Sequence, residues 1–412
     1  MQIYGLDYSY GVELQEYFNR DFSVDTSNVP APSSFCEARG KMKHNTFIDL
    51  NSTLVTAYYQ DAFANFWENE FRLIAVDGTA VHVPDTKENV DYFGGWDSAK
   101  SEPGVICPKA RVSFAYDPLN KVIVDAIMGP IRIGEDPMAH QHIANSGLDD
   151  LMIYDRGYAS YKLFRLHEDT GNHYCVRIPS EQFTKLLSDF IPSDEDDRVV
   201  FYSPRGPSYS SCLKDRLSVE PLKVRLIKVV LSSGEIEVLA TNVFHEHLGP
   251  ESFKDLYHLR WGVEEEYKRL KCRIELEAFS GKKTEFVLQD FYADVIRLNM
   301  TSLIALEARI SLKEHGLKKK YHHAPNMSLA LSQLNKFLDA LFSSDQEKLK
   351  IVSKNLTVYI KRLSQAIKPG RSFPRKKSLP VQVTTLNTKG LHEAEWHCHE
   401  YNFKKISFFS KK

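Results

Sequence analysis

Apolar positions along this chain fall into two periods, one of strand type and one of helix type. Phe71 to Val76 (FRLIAV) is a mostly apolar, partly β-branched run that stops at Asp77-Gly78-Thr79. Leu151 to Tyr154 (LMIY) stops at Asp155-Arg156-Gly157-Tyr158. Short apolar runs closed by glycine-containing turns predict buried strands of an α/β sheet. Arg111 to Tyr116 and Lys121 to Met128, joined by Asp117-Pro118-Leu119-Asn120, predict a hairpin. Helices are expected around Asp136 to Asn145 and Tyr158 to Glu168, and His173 to Ile178 reads as a fifth strand. The interval that follows is alternating and strand-like, at Leu222 to Leu231 and again at Glu235 to Phe244.

From Leu256 the period changes. Leu256, Leu259, Val263, Tyr267, Leu270 and Ile274 form one apolar helical stripe, the side expected to face the core. On the neighbouring face Tyr257, Arg260, Glu264 and Lys271 fall within roughly 60° of one another at about 100° per residue. Trp261 and Lys268 flank that stripe, while Glu265 and Glu266 rotate away from it. The helix thus presents Glu264 framed by Tyr, Arg and Lys.

Asp77 and Asp155 each end a strand-type run, where side chains commonly line a site. Either one alone reads equally well as a turn former or a helix cap. Together with Glu264 they make an acidic triad. Three carboxylates held close repel and take up protons unless a cation shares them. Oxygen-only donors favour Mg²⁺ or Mn²⁺ over Zn²⁺. Two such ions can activate a water or hydroxyl and stabilise the leaving oxygen of a phosphodiester.

These residues resemble the insertion-sequence transposases of the DDE type, in the bacterial group with a Tyr-Arg-Glu-Lys signature helix. That signature is Tyr, two residues, Arg, three, Glu, six, Lys, and Tyr257, Arg260, Glu264 and Lys271 meet it without a gap. The stretches Asp77 to Gly94 (DGTAVHVPDTKENVDYFG) and Asp155 to Phe164 (DRGYASYKLF) match in character. So do Leu239 to Phe244 (LATNVF) and Arg371 to Lys377 (RSFPRKK). The resemblance runs from about residue 34 to 377, most of the chain.

The resemblance implies an α/β, ribonuclease-H-like mixed sheet flanked by helices, interrupted by a β-rich insertion, with helical N- and C-terminal regions. The expected divisions are 1–70, a small helical N-terminal region; 71–178, the first part of the core; 179–238, the insertion; 239–315, the second part with the signature helix; and 316–412, a basic helical region and tail. It further implies cut-and-paste transposition through a hairpin intermediate. Asp77, Asp155 and Glu264 would hold two Mg²⁺ (or Mn²⁺) ions. Arg260 and Lys271 would clamp phosphates, Tyr257 would hydrogen-bond one, and Trp261 would stack on a displaced base. Arg156, Lys268, Arg371, Arg375, Lys376 and Lys377 are further candidates for DNA contact. The expected partners are double-stranded DNA (terminal inverted repeats and target) and a second copy of the chain, in the bacterial cytoplasm at the nucleoid.

Composition changes this picture little, and charge distribution changes it more. The 412 residues are 42% hydrophobic and 26% charged, ordinary for a globular protein with room for two or three domains. No apolar run approaches a membrane span, and no signal peptide opens the chain. The six cysteines are scattered without a CxxC pair, so free thiols in a reducing compartment are expected. Net charge is −1, yet residues 251–412 hold 30 Lys and Arg against 18 Asp and Glu, a balance of +12 that leaves −13 for the first 250. Such polarity points to a phosphate-facing C-terminal part, densest at Lys318-Lys319-Lys320 and at Arg371 with Arg375-Lys376-Lys377. Trp396 to Glu400 (WHCHE) looks metal-like, but adjacent residues point different ways and no second pair is near. Two other readings stay open. One is a repurposed relative that binds DNA without mobilising it. The other is a glycosidase using Asp and Glu, which leaves the Arg and Lys of the Glu264 helix without a purpose.

Overall fold

The structure is a computed structural model that describes residues 10–19, 29–60, 64–97, 106–180, 183–231, 234–259, 277–315, 321, 323–341 and 345–367. These lie within one compact unit, Met1–Ile367. Its centre is strand β1 (Arg72–His82), whose residues Leu73 to Val76 are all buried. Side chains alternate across a pleated strand. Leu73 and Ala75 accordingly enter one core cluster, and Ile74 and Val76 the other. Burial ends at the half-exposed Asp77-Gly78-Thr79.

The strands after β1 are β2 (Gly95–Asp97), β3 (Ile106–Asp117), β4 (Val122–Pro130), β5 (Asp150–Tyr154), β6 (His173–Arg177), β7 (Asp197–Tyr202), β8 (Leu222–Val230) and β9 (Ile236–Thr241). They form one nine-stranded sheet in the order β4-β3-β1-β5-β6-β9-β8-β7, with β2 pairing the start of β3. β4, β3 and β1 are antiparallel; β1, β5 and β6 are parallel; β9, β8 and β7 continue antiparallel. Three antiparallel strands followed by two parallel ones is the ribonuclease-H-like order. The strands from the interval after residue 179 extend this same sheet through β9 on β6.

Local chemistry fixes each connection. At the β3–β4 hairpin the Asp117 carboxylate accepts from the Leu119 and Asn120 amides at 2.8 and 3.0 Å, an Asx turn. Lys121 completes it at φ 63°. At the start of β1, Arg72 makes a fork to Asp150 of β5, at 2.5 and 2.6 Å, which pins the parallel register Arg72↔Asp150.

Helices cover both faces, and the short α4 (Lys87–Phe93) lies between β1 and β2 in the chain. On one lie α3 (Asn45–Tyr59), α9 (residues 250–259) and the 32-residue α10 (Thr284–His315), packing Phe47, Phe253, Leu256, Val287 and Phe291 on the sheet. On the other lie α5 (Glu135–Ala144), α6 (Tyr161–Thr170), α7 (Thr184–Leu187) and α8 (Pro207–Lys214), packing Ile143, Phe164, Leu187 and Cys212. Ahead of α3 stand α1 (Tyr10–Asn19) and α2 (Pro32–Lys41). The buried Arg39 of α2 bonds Asp290 of α10 at 2.8 Å and Gln289 at 2.9 Å, joining the early helices to the core. Helices α11 (Met327–Leu341) and α12 (Gln346–Arg362) follow α10 and pack on it. The described cysteines, Cys36, Cys107, Cys175 and Cys212, are free. No helix among the described residues is long and apolar enough to cross a membrane.

Candidate active site

The β1–β5 ladder is in register from Arg72↔Asp150 to Ala75↔Ile153. Asp77 and Asp155 each lie two residues beyond that last pair. They therefore stand level just beyond the C-terminal end of the parallel β1–β5 ladder, while β1 itself runs on to His82 against β3. Alternation puts both on the face of Ala75 and Ile153, the face that α9 and α10 cover. Asp77 is half-exposed and accepts from the Gly78 amide at 2.8 Å. Asp155 is half-exposed in extended geometry (φ −76°, ψ 167°) just before a short 3₁₀ turn, Arg156–Tyr158, and Arg156 is exposed beside it.

Tyr257 is 3% exposed and packs in the hydrophobic core on that same face. Its ring anchors the start of the signature segment instead of facing solvent. Beyond that segment, the Glu277 carboxylate accepts from the His82 amide at 2.9 Å, at the end of β1. Both flanks of the segment are thus tied to the sheet on the Asp77 side. Arg260, Trp261, Glu264, Lys268 and Lys271 fall outside the described residues. So do Lys318, Lys319, Lys320, Arg371, Arg375, Lys376, Lys377 and the WHCHE stretch.

Several groups near Asp77 escape a reading of the sequence. Glu135, in the first turn of α5, lies against Gly78 so closely that a Cβ there would meet its Cγ at 2.7 Å. Arg111 of β3 holds Glu135 at 2.8 Å. Burial, then Glu135, raise the Asp136 carboxyl above its usual range, while Lys162 opposes this. The phenol of Tyr158 is raised by burial first and then by Glu135, Asp77 and Asp136. Its hydroxyl is buried with no hydrogen-bond partner among the described residues. Further along α5, beside Lys162 and Asp215, burial and Lys162 depress the His140 imidazole to about 4, so it is neutral at pH 7. Acids in a first helical turn ordinarily complement the helix dipole, so Gly134-Glu135-Asp136-Pro137 carries no distinctive mark in the sequence.

A buried relay stands behind Asp77. His142 bonds Asp125 at 2.8 Å through Nδ1 and the Ser113 hydroxyl at 3.1 Å through Nε2. Ser113 donates to the Asp77 carbonyl at 3.2 Å. Asp125 is lowered below its usual value although burial, its largest influence, pushes upward; hydrogen bonds from His142, Asn145 and Ala126 outweigh it.

The arrangement concentrates like charge: Asp77 and Asp155 level on neighbouring strands, with Glu135 and Asp136 close by. Oxygen donors in this density suit a hard divalent cation. Residues 68–300 match the family model described as "Transposase DDE domain". The chain is 22% identical over 376 residues to the transposase InsG for insertion sequence element IS4 of Escherichia coli K12, covering 88% of this chain and 80% of that one. It is 22% identical over 348 residues to the transposase for insertion sequence element IS231F of Bacillus thuringiensis subsp. israelensis, covering 74% and 70%. Among solved structures, a piggyBac transposase synaptic complex with hairpin DNA aligns at TM-score 0.36 and 11% identity, over 69% of this chain and 57% of that one.

Proposed function

This chain belongs to the transposase DDE domain family of phosphoryl-transfer enzymes, and from that premise we propose that it cuts the ends of its own insertion sequence and joins them to target DNA. Membership sets aside the glycoside-hydrolysis reading. Asp77, Asp155 and Glu264 are the acids assigned to hold two Mg²⁺ (or Mn²⁺) ions. What supports this most is the level placement of Asp77 and Asp155, with both flanks of the Glu264 segment tied to that side of the sheet. Bound there, the ions would acidify the attacking water and stabilise the leaving oxygen.

The chain's own residues supply position and charge. Arg156, exposed beside Asp155, is assigned to a DNA phosphate. Arg260 and Lys271 are assigned to phosphates near the scissile bond, Arg through its planar fork and Lys as a point charge. Lys268, Arg371, Arg375, Lys376 and Lys377 are likewise assigned to DNA phosphates, and Trp261 to a base taken out of the stack. Tyr257, buried in the core, is assigned to setting the helix on the sheet rather than to phosphate. The liberated 3′-hydroxyl would attack the opposite strand to form a hairpin, which a second hydrolysis opens before strand transfer. Each step is an in-line displacement at phosphorus, so one acidic site serves all. A dimer would hold the two ends together.

The test is cleavage of a labelled duplex carrying the element's terminal repeat, with Mg²⁺ and with EDTA, beside the Glu264→Ala protein. The expected result is nicking at the end that requires metal and is lost in the variant while binding persists. Binding without cleavage by the unaltered chain would instead mark a relative repurposed for binding DNA. Cleavage that survives EDTA or Glu264→Ala would overturn the assignment.

A further inference from the structure

Just before β1, seven residues ahead of Asp77, Glu70 comes together with His245 and His247 from a part of the chain 175 residues away. His245 Nδ1 lies 2.9 Å from Glu70 Oε2, and His247 Nε2 lies 3.5 Å from Glu70 Oε1. One ligand atom from each of the three falls within 4.8 Å of the others. A tetrahedral ion with bonds of about 2.0–2.1 Å spaces its ligand atoms roughly 3.3 Å apart. The two His–Glu separations, one to each oxygen of Glu70, bracket that value. All three side chains reach solvent, so water has access to a fourth position.

Both supports are built. Glu68 and Asn69 take left-handed backbone at φ 52° and 59°. Asn tolerates that region, so the cost, on the order of 1–2 kcal/mol, falls on Glu68. The turn they make is closed by the Trp67–Phe71 bridge and delivers Glu70. On the other side, the buried Arg225 holds the loop after β9, donating to the carbonyls of Val243, His245 and Leu248 at 3.1, 3.4 and 2.7 Å. The His245 ring also packs on Phe71, with centroids 5.4 Å apart. An exposed His–Glu pair alone contributes little to stability.

We propose that Glu70, His245 and His247 form a Zn²⁺ site, completed by water, that clips the turn feeding β1 to the loop feeding α9. Two imidazoles and a carboxylate select Zn²⁺ over Mg²⁺, which prefers oxygen alone. Seven residues of extended chain separate Glu70 from Asp77, roughly 23 Å at about 3.3 Å per residue. The ion therefore takes no part in phosphoryl transfer. It fastens together the strand that carries Asp77 and the helix that leads into the Glu264 segment.

The test is calorimetric titration of the full chain with Zn²⁺ in excess Mg²⁺. It compares the unaltered protein, His245→Ala/His247→Ala and Asp77→Asn/Asp155→Asn, with circular dichroism to confirm that each is folded. The expected result is one Zn²⁺ per chain, weakened about a hundredfold or more in the histidine variant and unchanged within about twofold in the aspartate variant. Zn²⁺ should raise the Tm of the unaltered and aspartate-substituted chains only. Co²⁺ in place of Zn²⁺ should give tetrahedral absorption bands that the histidine variant lacks. No binding, binding indifferent to the histidines, or binding lost with the aspartates would each overturn the site.

Discussion

The two ends of the stretch of β1 that pairs with β5 differ in the donors they gather. Just beyond its C-terminal end, Asp77 stands level with Asp155, with Glu135 against the adjoining Gly78, and the acids there offer oxygen alone. Just before its N-terminal end, Glu70 meets two imidazoles. One strand thus carries a hard-cation end and a borderline-cation end, seven residues and roughly 23 Å apart. The support differs too. Asp77 is held from within the sheet, by Ser113 and the His142–Asp125 pair behind it. Glu70 is held by backbone strain in an exposed turn. A site that must admit DNA is open in front and braced from behind, whereas a clip needs only two rigid arms.

The comparison breaks most sharply under Asp77→Asn or Asp155→Asn. Either should lower end cleavage by at least about a thousandfold with the fold intact, as nicking kinetics and circular dichroism would show. Next in size is His142→Ala, which empties a buried position and takes one partner each from Asp125 and Ser113. It should cost about 3 kcal/mol, read from urea midpoints. Glu135→Gln removes the carboxylate against Gly78. The Mg²⁺ concentration for half-maximal cleavage should rise about tenfold, measured by metal titration of the nicking rate. The smallest effect belongs to His245→Ala/His247→Ala. Its Mg²⁺-supported cleavage should stay within about threefold of the unaltered chain, because a clip about 23 Å away acts on stability and not on the reacting atoms. A loss as large as that of Asp77→Asn would erase the distinction between the two ends.

Strands β1, β5 and β6 and the β3–β4 hairpin were legible because continuous apolar runs end at Asp, Gly or an Asx turn. Helix α5, expected from Asp136, begins at Glu135, and α6 begins at Tyr161 rather than Tyr158. The delay at α6 has a local cause: Ser160 caps the helix through the Leu163 amide, and a 3₁₀ turn occupies the residues before it. Strand β7 escaped notice since, at the sheet edge, its Val199 and Phe201 are 48% and 73% exposed, so its pattern does not mark a buried face. Asp77 and Asp155 could be named from strand ends, but Glu135 could not, because its closeness to Gly78 comes from the packing of α5 on β1. Glu70 with His245 and His247 is likewise invisible in the sequence. Nothing in the spacing across 175 residues marks them as neighbours, and only the left-handed turn and the Arg225-held loop bring them together.

The most direct measurement is anomalous diffraction from crystals soaked in Mn²⁺ and Zn²⁺ together, with data collected across both absorption edges. The difference between the two ends of the β5-paired stretch of β1 predicts a Mn²⁺ peak between Asp77 and Asp155 and a Zn²⁺ peak bounded by Glu70, His245 and His247. Zn²⁺ confined to the aspartates, or no ion at either place, would contradict it.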